Sequence, residues 1–202
     1  MLYVTKEGHV DAGARIKLRI ISNIENGAMD KVNGIVVHQT GGSTAEGAFH
    51  SYKEPQANGA HFLIDKDGTI YQTASLYRVT NHVGKLKSRC VVTHQCSPAE
   101  FKRMHDLERA WKPSDISRIE YKKQFPDRFP SNADAVGIEL VGESPGLKGK
   151  EIFVPVTDKQ NVSLQWLVKE LTDSLGVAMR EVYRHPDIAR KNLTEARTAK
   201  WD

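Results

Sequence analysis

Hydrophobic and polar positions along this chain follow two rhythms, and each predicts a set of elements. The run Gly34-Ile35-Val36-Val37-His38-Gln39-Thr40 is apolar until it ends on polar residues, the pattern of a buried strand that delivers a polar tip. His61-Phe62-Leu63-Ile64-Asp65 and Thr69-Ile70-Tyr71-Gln72 are strand-like runs on either side of Lys66-Asp67-Gly68, and an Asp-Gly turn between such runs predicts a hairpin. Gly137-Ile138-Glu139-Leu140-Val141-Gly142 places one carboxylate in an otherwise apolar strand. The helical rhythm is clearest after Thr157-Asp158-Lys159-Gln160, a capping box. Val162, Leu164, Leu167, Val168, Leu171 and Leu175 follow at helical spacing, and Gly176 stands where a helix ends in the left-handed conformation.

Two further starts are signalled. Ser43-Thr44-Ala45-Glu46 opens a short helix to about Tyr52, and Ser97-Pro98-Ala99-Glu100, with proline at the first helical position, opens one to about Trp111. Residues 112–135 read as irregular with a short helix around Asp115–Lys123, while Pro55–Gly59 and Ser144–Lys150 read as loops. Strands interleaved with helices predict an α/β (α+β) fold, a central mixed β-sheet flanked by helices. At 202 residues the chain suits a single domain, 1–202, with an insertion at about 87–135.

Composition narrows this only a little. A hydrophobic content of 39% is enough for a core, and the mean hydropathy of −0.49 is that of a globular chain. No stretch approaches the roughly 20 apolar residues of a membrane span. The N-terminus lacks the apolar segment of about 7–15 residues that a secretory leader carries. A net charge of +4 is mildly basic, yet no Lys/Arg run marks a nucleic-acid footprint, and an anionic cell-wall surface fits equally well. Cys90 and Cys96 allow one small disulfide loop, which would place the protein in an oxidising compartment, or two free thiols.

The candidate chemistry lies in His38, Glu139, His185 and Lys191. Imidazoles and carboxylates are zinc ligands, and a hydrolytic zinc takes three protein ligands and keeps one position open. Each histidine alone is more often a hydrogen-bonded structural residue than a ligand. Glu139, flanked by Ile138 and Leu140, is costly to bury unless paired or used, and strand alternation could instead turn it to a wet face. Used, it suits a general base, and Lys191 suits a donor to an oxyanion. The His-Glu-x-x-His helix of zinc peptidases is absent from the sequence.

Five blocks in order carry a family resemblance from about Gly34 to the C-terminus: Ile35–Thr40, Gly59–Ile70, Asn81-His82-Val83-Gly84, Val136–Gly142 and Arg184-His185-Pro186-Asp187-Ile188-Ala189-Arg190-Lys191. With them the chain resembles the zinc-dependent N-acetylmuramoyl-L-alanine amidases of type 2, the T7 lysozyme and peptidoglycan recognition protein-like family. The resemblance implies Zn²⁺ as cofactor, peptidoglycan or muropeptides as substrate, and hydrolysis of the amide between N-acetylmuramic acid and L-alanine. It implies that His38 and His185 are metal ligands, Glu139 and Lys191 are catalytic, and His82 lines the substrate groove. His61 falls in the hairpin block and reads as either a substrate-groove or a packing residue.

Two positions depart from the family pattern. The third ligand is expected two residues after the lysine, where Leu193 stands, so Glu195 is assigned in its place, with Asp187 as a poorer candidate. Ala60 stands where some relatives carry a tyrosine that assists the reaction, which leaves more of the proton transfer to Glu139. The missing third ligand also admits an alternative, a peptidoglycan-binding module without catalysis. The biological setting stays open between a phage lysis enzyme, a toxin moved by a secretion machinery and met by a cognate inhibitor, and a cytoplasmic recycling enzyme.

Overall fold

A computed structural model of the protein describes residues 2–202. Its strands are β1 (Tyr3–Val4), β2 (Val10–Asp11), β3 (Ile16–Leu18), β4 (Gly34–Gly41), β5 (Phe62–Ile64), β6 (Ile70–Gln72), β7 (Ala135–Glu143) and β8 (Val182–Arg184). Its helices are α1 (Ala45–Tyr52), α2 (Arg89–Val92), α3 (Pro98–Arg109), α4 (Pro113–Glu120), α5 (Asp158–Leu175) and α6 (His185–Ile188). β1 and β2 form a small antiparallel pair, and the other six make one sheet in the order β3-β6-β5-β7-β4-β8. Only β5 and β6 run antiparallel in that sheet, so it is mixed, as the alternating pattern predicts.

The hairpin forms as expected, with Gly68 at φ 88° in the turn and Phe62 opposite Gln72. So does α5, where Thr157 and Gln160 complete a capping box and Gly176 takes φ 67°. Leu164, Leu167, Val168 and Leu171 bury one stripe of α5 against Ile35, Val37, Val136, Ile138 and Leu140, and each such side chain contributes about 1.5–3 kcal/mol. Val162 does not join the stripe; it is 68% exposed on the outer side of the helix. In α1 the cap is Thr44 rather than Ser43, and its hydroxyl accepts from the Gly47 amide. Both helices expected here form: α3 stops at Arg109, two residues short of Trp111, and the short helix is α4, which begins at Pro113 and ends at Glu120. Cys90 and Cys96 form a disulfide across the end of α2. Arg89 of α2 ties this stretch to the body through a pair of hydrogen bonds to Glu181.

The face of the sheet opposite α5 decides where chemistry can occur. Two smaller apolar clusters cover it. One joins Phe49 and Tyr52 of α1 to Leu63 and Val141, and the other joins Val36, Ala135, Val83, Leu86 and Ile188. Along β7 the positions on this face are Ala135, Gly137, Glu139 and Val141, since side chains alternate along a strand. They lead from one cluster to the other and leave a polar gap between. Among the described residues, no helix is long and apolar enough to cross a membrane.

Candidate active site

His38 pairs in register with Glu139, so the two side chains leave neighbouring parallel strands on the same face and meet in that gap. His185 begins α6 directly after β8, which pairs with β4 at the sheet edge. Glu195 arrives on the C-terminal segment, which Ala196, Ala199 and Trp201 anchor in the main core. Gln39, the neighbour of His38, fixes the height of that segment: its side-chain carbonyl accepts from the Ala196 amide at 3.2 Å. A Cβ at Gly142 would lie 2.0 Å from the Gln39 amide nitrogen, so the glycine after Val141 makes room for this clamp.

The three groups converge. His38 Nδ1 lies 2.8 Å from His185 Nδ1, and Glu195 Oε1 lies 3.0 Å from His185 Nδ1 and 3.5 Å from His38 Nδ1. All three residues are buried. The hydrogen bonds behind them set the tautomers. His185 Nε2 sits 2.7 Å from the Val83 carbonyl, which can only accept, so that nitrogen carries the proton. His82 Nε2 likewise donates to the Ala135 carbonyl at 3.1 Å. Burial, followed by the nearby His38 and His61, holds the His82 pKa well below its usual value, so its Nδ1 is a lone pair. That lone pair accepts from His38 Nε2 at 2.9 Å. Burial and then His185 hold the His38 pKa at about 4, so its Nδ1 is a lone pair as well.

Two imidazole lone pairs and a carboxylate oxygen therefore face one point. Glu195 is buried beside both rings, its Oε1 turned to the same point as the two Nδ1 atoms. Three acceptors with no donor among them call for a cation, and a pair of histidines with one carboxylate is a zinc donor set. Each ring's second nitrogen is engaged behind the cluster, the arrangement that orients metal-binding histidines. These residues fit a metal.

A cleft of about 610 Å³ opens beside the cluster. Glu139, Lys191, His82, Asn81, Asn132, Asn58 and Phe153 line it. Burial raises the Glu139 pKa; a hydrogen bond from Tyr52 opposes the rise, and the charge on Glu195 adds to it. The Tyr52 hydroxyl lies 2.5 Å from Glu139 Oε2. Lys191 stands exposed on the rim, near Gly84. A more apolar groove of about 630 Å³, lined by Leu76, Phe125 and Leu175, carries none of the candidate residues.

The other sequence candidates separate clearly. His82 lines the cleft and also supports His38 from behind. His61 is fully buried; its Nε2 meets the Arg78 carbonyl at 2.8 Å and its Nδ1 accepts the Gly137 amide at 3.1 Å. Both nitrogens are thus spent on the backbone, so His61 packs the hairpin against β7 and does not face the cleft. Asp187 is turned to cap α6 through the Arg184 amide. Leu193 is 76% exposed, whereas Glu195 is buried with the two histidines.

Three contributors carry no sequence signal of their own. Asn132 accepts from the His82 and Val83 amides and so sets the segment whose carbonyl orients His185. Gln39 reads as part of a polar strand tip and Tyr52 as the end of a helix, and only the folded chain brings them to the site.

A mixed sheet gathers these groups beside an open cleft. Residues 28–202 match the family described as N-acetylmuramoyl-L-alanine amidase, and the chain belongs to that family. It is an enzyme that cleaves the amide between N-acetylmuramic acid and L-alanine in peptidoglycan. Among solved structures it is similar to a selenomethionine derivative of AmpD, with a TM-score of 0.55 at 17% identity over 94% of this chain and 90% of that one. It is similar too to the catalytic domain of XlyA, with a TM-score of 0.51 at 20% identity over 87% of both chains. AmpDh3 from Pseudomonas aeruginosa, solved in complex with anhydromuramic pentapeptide, gives a TM-score of 0.53 at 18% identity over 79% of this chain and 53% of that one. At these identities the likeness speaks for the fold. No curated protein matches the chain.

Proposed function

We propose that the amidase is zinc-dependent, with His38, His185 and Glu195 as ligands, Glu139 as general base and Lys191 as oxyanion donor. The observation that carries this reading is the convergence of three buried lone-pair donors, 2.8–3.5 Å apart, at the edge of the cleft that also holds Glu139. Zinc bound there supplies Lewis-acid chemistry, polarising a carbonyl and acidifying water.

The chain's own groups then have defined tasks. The Glu139 carboxylate takes a proton from water, and the water oxygen bonds to the lactyl carbonyl carbon. The Lys191 ammonium faces the negative charge that gathers on the carbonyl oxygen, an interaction commonly worth about 3–4 kcal/mol for a well-placed donor. As the carbon–nitrogen bond breaks, Glu139 passes its proton to the leaving L-alanine nitrogen. The products are a lactyl carboxylic acid on the glycan and a stem peptide with a free amino end. His82 acts by holding the His38 ring, and Asn58 and Asn81 offer amide groups to the substrate. Residues 87–135 are the family-variable insertion in a single amidase unit spanning 1–202.

Digestion of purified sacculi and of soluble muropeptides, with mass analysis of the products and metal analysis of the protein, tests the reading. Intact glycan strands, free stem peptides and one zinc per chain are expected. Metal-free protein with full activity, or cleavage at sugar–sugar or peptide–peptide bonds, would overturn it.

A further inference from the structure

Glu139 has two carboxylate oxygens, and only one can serve the water. The other is committed. Tyr52, at the last position of α1, is buried, and its hydroxyl lies 2.5 Å from Glu139 Oε2. The Tyr52 O–H is the donor and the Glu139 carboxylate the acceptor. Gly59 supplies the room, since a Cβ there would come within 3.1 Å of the Tyr52 ring.

This arrangement matters because Glu139 is the register partner of His38. A carboxylate on the rung beside a candidate histidine ligand is a potential metal ligand in its own right. Yet the groups whose ligand atoms lie within 4.8 Å of one another are His38, His185 and Glu195, and Glu139 is not among them. The side chain that hydrogen-bonds it is Tyr52.

We infer that Tyr52 is a positioning residue for the amidase reaction: by donating to Oε2 it keeps Glu139 out of the ligand cluster and leaves Oε1 free toward the cleft. The inference rests on Glu139 being the general base. Tyr52 touches neither substrate nor metal, and acts only through that carboxylate. The hydroxyl comes from a helix and the carboxylate from a central strand, so the geometry depends on α1 staying docked through Phe49 and Ala45.

The test is a pair of single variants, Tyr52→Phe and Glu139→Gln, with their double. Tyr52→Phe is expected to lower kcat about tenfold with KM unchanged, because the base is misplaced while substrate contacts survive. The double variant is expected to be no slower than Glu139→Gln alone, as for residues that act as a unit. Cobalt-substituted Tyr52→Phe is expected to show an altered visible spectrum, because Glu139 is released toward the metal, whereas a purely structural role would leave the spectrum of the folded protein alone. The phenylalanine leaves the buried Glu139 Oε2 without its hydrogen-bond partner and lowers stability, so 3-fluorotyrosine at position 52 serves as a second probe that keeps ring, hydroxyl and fold. Its stronger donation makes Glu139 a weaker base, and a kcat reduced about twofold at unchanged KM and thermal midpoint is expected. Wild-type kcat in both Tyr52 variants, with Glu139→Gln inactive, overturns the inference and spares the base assignment. Wild-type turnover in Glu139→Gln removes both.

Discussion

His38 and Glu139 are register partners on β4 and β7, so a metal-ligand candidate and a general-base candidate share one rung of a parallel ladder. Their separation is set by the strand spacing of about 4.8 Å and not by loop conformation. Beyond this rung the pairing slips between Gln39 and Gly41. The irregularity turns the Thr40 hydroxyl back to accept the Gly142 amide at 3.2 Å. The rigid part of the site is thus the sheet, and the adjustable part is what the later chain lays over it.

Glu139→Gln keeps the shape of the side chain and removes its basicity. Turnover should fall by about 10²–10⁴-fold, the usual contribution of a positioned base. Zinc content should stay at one per chain. Kinetics on a soluble muropeptide together with metal analysis check both halves, and an inactive protein that has also lost its metal would place Glu139 in the ligand set.

His82→Phe separates two roles for the same residue. As support for the His38 ring, its loss should weaken metal affinity about 10–100-fold, the range for groups that orient a ligand. As a mere cleft wall, it would raise KM and leave metal affinity alone. Competition titration with a chromophoric chelator reads the difference.

Gly137→Ala probes the same support from the strand. The new Cβ would lie 2.9 Å from His82 Nδ1 and 3.1 Å from the Ala60 Cβ, with little room to retreat. A destabilisation of roughly 1–3 kcal/mol, typical of overpacking, should accompany weaker metal binding. Denaturant melts of the metal-free and metal-loaded protein are expected to show a larger loss in the loaded form.

Acid stability should depend on Asp134, which holds the loop that carries Asn132. Asp134 accepts both terminal nitrogens of Arg128 at 3.0 Å, the Asn33 side-chain amide at 2.8 Å and the Ser131 amide at 2.8 Å. Burial would raise its pKa, but hydrogen bonds from Arg128, then Asn33 and Ser131, bring it below the usual value. For a lowered carboxylate, the stabilisation is complete above the unfolded value of about 3.9 and disappears as pH falls through the folded one. Asp134→Asn should therefore cost roughly 3 kcal/mol at pH 7, as when one partner of a buried pair is removed. In strong acid, where Asp134 is itself neutral, the difference should narrow. Equal losses at both ends of the pH range would contradict the linkage.

The sequence shows most clearly what repeats. The hairpin around Asp67-Gly68 and the stripe of α5 follow from spacing and turn chemistry, and both form. The strand tips that carry His38 and Glu139 are legible because a polar residue ends or interrupts an apolar run. β3 and β8 are not, since three residues are too few to establish a period. Val162 fits the helical spacing and still faces solvent, because spacing alone does not set how wide the buried stripe is. Ser43 and Thr44 are equally good caps on composition, and the backbone turn chooses the second. Glu195 can be named as the nearest carboxylate, but the Gln39 clamp that brings it to His185 links residues far apart in the chain. His61 sits within a family block that leaves a groove or a packing role open, and both its ring nitrogens meet the backbone.

His185 lies just past an edge strand, and Glu195 lies on the tail that follows. An ion gripped by both and by His38 would stitch the chain's final stretch to a strand inside the sheet. Loading would then be felt as mechanical closure of that margin, since binding to the folded state alone adds to its stability. Stripping the ion should let β8 and everything after it breathe first, with amide exchange speeding up there before α5 responds.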